Sequence, residues 1–149
     1  MTLKEKVHIN YQDFISKRIS TLRNMITDLA EDAQNDAKGS AGDKHETALS
    51  MMHLEQEKLN QKLKEVLEHK AILEGIANEK NASKVVVGSL VEVEGMCFFV
   101  SCALPKIVVD GHQIIALSPH SPLGKEMLGK FVGQSFGVNT SSFVIQSII

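Results

Sequence analysis

Asp43 and Glu46 are the residues of this chain whose types and spacing best fit a chemical task. They stand three apart in GSAGDKHETA, residues 39–48, a small polar stretch set between two long segments of helical character. Two carboxylates so placed offer hard oxygen donors of the kind Mg²⁺ takes, because that ion is usually held by one or two protein carboxylates with water or phosphate filling the remaining positions. A pair supplies too few ligands for tight binding, so a metal role requires a partner that brings more. The same residues also have a purely structural account. Asp-x-x-Glu immediately before a helix is a capping-box pattern with Asp in place of Ser or Thr, and Gly39 and Gly42 then serve the turn. His45, between the two acids, reads as a third ligand, a phosphate contact or an exposed loop histidine. Met51 and Met52 read as packing across the helices.

The elements that must position these acids are legible from periodicity. From Tyr11, the apolar residues Ile15, Ile19, Leu22, Ile26, Leu29 and Ala33 advance by steps of four and three, a heptad seam on an amphipathic helix. After the polar stretch, Met52, Leu59, Leu63, Val66 and Leu73 form a second seam, with Gln56 and Lys70 as polar interruptions that fix register, on a helix running to about Ala77. Two seams joined by so short a loop meet only by folding back, which predicts an antiparallel coiled-coil hairpin over residues 1–80 with its tip at about 36–47. Each arm of some thirty residues is then on the order of 45 Å long at 1.5 Å per residue. The acids are therefore expected at the end of a rod.

Beyond NEKNAS, residues 78–83, the character changes. Residues 1–80 hold 26 of the 34 Asp, Glu, Lys and Arg residues, and residues 84–149 hold eight. This asymmetry predicts two structural units. KVVVGSLVEVEG, MCFFVSCAL and KIVVDGHQIIAL are rich in β-branched and aromatic residues and read as strands. Val91 and Val93 alternate with Glu92 and Glu94, so one face there is wet. In SPHSPLGKEMLGK, Ser121 is a good N-cap, Pro122 suits the first helical position and Gly129 suits the exit of a short helix. SFGVN and SSFVIQSII close the chain as two more strands. The expected fold class is α+β: the hairpin, then a small, mostly antiparallel β unit over 84–149 with one short helix.

Composition excludes several roles. Net charge is −2, so no global basic field grips nucleic acid, and any such role is local or indirect. Cys97 and Cys102 match neither a zinc spacing nor a disulfide framework and read as buried free thiols in a reducing compartment. MTLKEKVHINYQ lacks the apolar core of a signal peptide, and no later run is long enough to span a membrane. A cytoplasmic, monomeric protein without membrane contact is expected.

Two stretches resemble one family. SPLGKEMLGKFVGQSF, residues 121–136, resembles the Ser-Pro-Leu-Gly-x-x-Leu-Leu-Gly-Lys-x-x-Gly-Asp signature in the C-terminal domain of the bacterial Gre transcript-cleavage factors. GDKHETA resembles the Gly-Asp-Leu-x-Glu-Asn-Ala of their hairpin tip, and the order of the two units and the chain length fit as well. The resemblance implies an FKBP-like C-terminal domain that docks on RNA polymerase near the mouth of its secondary channel. It implies too that Asp43 and Glu46 reach the polymerase active site and help hold its second Mg²⁺, so that the polymerase itself cuts the backtracked RNA. The chain then has no cofactor of its own, shares that Mg²⁺, meets the nascent RNA 3′ end only indirectly, and is not an enzyme by itself. In a two-metal hydrolysis one ion activates the attacking water and the other stabilises the leaving oxygen.

The family's region around Ser121 to Lys130 helps meet the polymerase, which makes Ser121, Gly124, Lys125 and Lys130 candidate partner contacts, with Leu123, Met127 and Leu128 assigned to the core. A basic hairpin patch in the family steers the RNA 3′ end. Its counterparts here are Lys38 and Lys44 near the tip and Arg18 and Arg23, with Lys17, on the first helix, although the last three are interspersed with acids and also read as a mixed, solvated face. The chain departs from the family where Glu-Tyr follows the tip motif, having Leu49 and Ser50 instead. That departure keeps a second expectation open: a channel binder that modulates or inhibits the polymerase without stimulating cleavage. A coiled-coil adaptor whose tip is only a turn is the third. Phe98, Phe99, Phe131, Phe136 and Phe143 read as core filling, and prolyl isomerase activity, known in proteins that share the FKBP-like fold, is not expected.

Overall fold

The computed structural model describes residues 1–39, 43–77 and 83–149. Two long helices, α1 (Leu3–Gly39) and α2 (Asp43–Glu74), precede strands β1 (Leu90–Val93), β2 (Met96–Val100), β3 (Ile107–Val109) and β4 (His112–Leu117). A short helix α3 (Pro122–Met127) follows, then β5 (Ser135–Val138), β6 (Ser141–Val144) and β7 (Ser147–Ile148). The architecture is a helical pair followed by a small, antiparallel-dominated sheet unit with one short helix. The chain divides into two compact units, one made of Asp13–Ala71 and the other of Met1–Gln12 together with Ile72–Ile149.

In the first of these, Ile15, Ile19 and Leu22 of α1 and Leu59 and Val66 of α2, all on the two seams, are buried. Further along, Ile26, Leu29, Ala33, Met52 and Leu63 are half-buried. Polar Gln56 is half-buried at its seam position, and Lys70 is exposed.

The second unit is organised around β2. Its five-stranded sheet has the order β3-β4-β2-β1-β7, and every pairing is antiparallel except β2 with β4. Cys97, Phe98, Phe99 and Val100 are all buried, which is why MCFFV shows no alternation: a strand covered on both faces is apolar throughout. One face carries the main core, where Val85, Val91, Val93, Phe98, Val100, Leu117, Met127, Phe136 and Ile145 cluster, with Leu123 and Phe143 packed against them. Phe98 meets Phe136 and Phe143 edge-on at centroid distances of 5.8 and 5.2 Å, a favoured arrangement of ring quadrupoles. On the other face the Tyr11 ring stacks on Phe99 at 5.9 Å.

Several element boundaries differ from the sequence reading. α1 starts at Leu3, ahead of the seam read from Tyr11, because Thr2 and Glu5 close a reciprocal capping box: Glu5 N–H donates to Thr2 Oγ1 at 3.2 Å and Thr2 N–H to Glu5 Oε2 at 3.1 Å. α2 ends at Glu74 instead of Ala77. KIVVDGHQIIAL is a hairpin; its two-residue turn, Asp110 at φ 52° and Gly111 at φ 79°, matches the right-handed twist of β3 and β4. The KVVVG stretch forms only an isolated bridge from Lys84 to Phe131, and the C-terminal run folds as three strands instead of two. Phe131 and Leu128 are exposed, whereas the sequence reading placed both in the core.

Candidate functional site

α1 ends at Gly39 and α2 starts at Asp43, and residues 40–42 between them lie outside the described residues. Asp43 and Glu46 thus both fall in the first turn of α2. Glu46 is exposed. The first-turn position favours negative charge, because the unpaired N–H groups and the helix dipole carry partial positive charge there. The side chains of Asp43, Lys38, Lys44 and His45 also lie outside the described residues. Leu49 is half-buried and Ser50 exposed, so neither an acid nor an aromatic group is offered just past the tip motif.

As donors, two carboxylates in one helical turn suit a hard divalent ion but leave most of an octahedral Mg²⁺ shell to be filled from elsewhere. Among the described residues, no group of three or more His, Cys, Asp or Glu side chains comes together to hold a metal ion. Lys17, Arg18 and Arg23 are all exposed on α1. Arg18 and Arg23, five residues apart, point about 140° away from one another at 3.6 residues per turn, so they do not make one stripe.

Ser121 caps α3: its Oγ accepts from Gly124 N–H at 3.1 Å and donates to the Ser118 carbonyl at 2.6 Å. Gly124 is buried, and a Cβ there would lie 2.1 Å from the Ser118 carbonyl oxygen, so the position admits only glycine. The expectation that Gly124 meets a partner at the surface is therefore corrected, since the residue is required by the turn packed against it. The Ser121 hydroxyl is likewise occupied within the chain. Past α3, Gly129 turns at φ 79°, and the Gly129 N–H to Val85 O and Val85 N–H to Lys130 O bonds, each 2.9 Å, tie the exit to the start of the β unit. Lys125 is exposed and Lys130 half-buried, leaving these two of the four candidates to offer charge at the surface.

Sequence reasoning did not foresee that the first twelve residues carry polar anchors of the sheet unit. Tyr11, fully buried, donates its hydroxyl to the Pro105 carbonyl at 2.9 Å. Buried His8 places Nε2 on the Leu73 carbonyl. Lys6 pairs with Asp110 at 2.6 Å, and the stem of Lys4 is buried, which lowers its amine below the ordinary lysine range. The signal was present: Thr-x-x-Glu at residues 2–5 marks the helix start, and Val7 extends the seam one step back from Tyr11.

The thiols are not reactive centres. Cys97 and Cys102 are buried and free, and burial pushes Cys102 up to about 11 and Cys97 upward too, with Glu92 adding to the latter. Since the thiolate is the nucleophile and metal ligand, both remain inert near neutrality. Among the described residues, no helix is long and apolar enough to cross a membrane.

No protein-family model matches the chain, and no characterised protein matches it in sequence. Among solved structures it is similar to the GreA factor homolog 1 (Gfh1) protein of Thermus thermophilus, at 20% identity over 93% of this chain and 94% of that one, with a TM-score of 0.36. A second structure, of the transcription factor Gfh1, is similar at 20% identity over 92% of each chain, with a TM-score of 0.37.

Proposed function

We propose that this chain is a Gre-type elongation factor, which binds RNA polymerase, places the start of α2 in the secondary channel and assists cleavage of backtracked RNA. The observation that carries this reading is the position of Asp43 and Glu46 together in the first turn of α2, with Glu46 exposed. The specific match of residues 121–136 to the Gre signature supports it, as does the order of a coiled-coil pair and a small sheet unit. In this reading the two carboxylates act as added ligands at an active site that belongs to the polymerase. A Mg²⁺ held there supplies activation of water and charge stabilisation at the scissile phosphate. The chain's own part is to deliver and orient negative charge, so it hydrolyses nothing alone. Lys125 and Lys130 are proposed as docking contacts and Lys38, Lys44, Arg18 and Arg23 as contacts that guide the RNA 3′ end.

A second reading is favoured by Leu49 and Ser50, which stand where the family has an acid and an aromatic residue. Here the chain occupies the channel and modulates the polymerase without accelerating cleavage. Both readings place the tip inside the channel, and that placement is testable directly. Because Cys97 and Cys102 are buried, a thiol-directed crosslinker attached to a Glu46→Cys variant modifies the tip selectively. Crosslinks to polymerase segments lining the secondary channel are expected. Binding to the polymerase with crosslinks confined to its outer surface would exclude both readings.

A further inference from the structure

We draw no further inference here: the strongest candidate, the exposed apolar residues of the sheet unit, Val86, Leu128, Phe131, Val132 and Val144, carries nothing because no feature of the structure shows what covers them.

Discussion

At Gly124 the space available for a single methyl group decides the residue. The Ser118 carbonyl that accepts from the Ser121 hydroxyl lies 2.1 Å from where a Cβ would sit. Gly124→Ala must push that carbonyl away and is expected to lower stability by roughly 1–3 kcal/mol, as overpacking in tight sites does. The urea midpoint reads this, with Lys125→Ala, an exposed neighbour, as the control within about 0.5 kcal/mol of the parent. A unchanged midpoint in Gly124→Ala would mean that the turn yields freely. Cys102 makes a separate prediction about pH. Its thiol ionises near 9.0 when unfolded and at about 11 in the folded chain. Between those values the unfolded state gives up its proton first, so stability falls as pH rises from about 9 to about 11. Lys4 acts with the opposite sign: its lowered pKa means that the unfolded chain keeps the extra proton, and stability gains as pH rises towards 10.5. Comparing midpoints across that window in the parent and in Cys102→Ala isolates the thiol. The variant is expected to lose less stability on going to alkaline pH, and an equal loss in both proteins would contradict the assignment.

Among the elements, the β3–β4 hairpin rests on a two-residue turn with both residues at positive φ. Gly111→Ala places a Cβ in that left-handed conformation and is expected to cost about 1–2 kcal/mol, although nothing lies within 4 Å to obstruct the added carbon. Thermal unfolding checks this: the loss is one of backbone strain, so it should shrink in Gly111→Asn, since Asn tolerates the same region. In KIVVDGHQIIAL the glycine break was plain in the sequence, but that the two runs pair across a two-residue Asp-Gly turn shows only in the fold. The two helical seams were legible because Ile15, Ile19, Leu22, Leu59 and Val66 repeat with the heptad and are buried as that repeat requires. The two faces of β2 were not. A strand with Phe98 on one face and Phe99 on the other gives no periodic signal, and only folding shows that Tyr11 covers the second ring. Ser121 as cap and Gly129 as exit were readable from type alone, since capping and positive φ each select a few residues. Gly124 was not, because its role depends on a carbonyl six residues away.

For the whole molecule, the change in composition near residue 80 reflects a change from helical pair to sheet, but compaction follows a different line. The first twelve residues belong with the sheet unit through Tyr11, His8 and Lys6, each of which bonds to a residue beyond position 72. Linear reading misses this because the partners lie 65 to 104 residues away in the chain. The proposed division of labour gives docking to the sheet unit and chemistry to the first turn of α2. Its central claim is that Asp43 and Glu46 do more than begin a helix. The measurement that tests this most directly is the rate of RNA cleavage in purified backtracked elongation complexes at limiting Mg²⁺, with the parent protein and with the Asp43→Ala, Glu46→Ala double variant. The account predicts that the parent accelerates cleavage, while the double variant still binds the polymerase and leaves the rate at its intrinsic value. A parent protein that binds without accelerating cleavage, or a double variant as active as the parent, would contradict it.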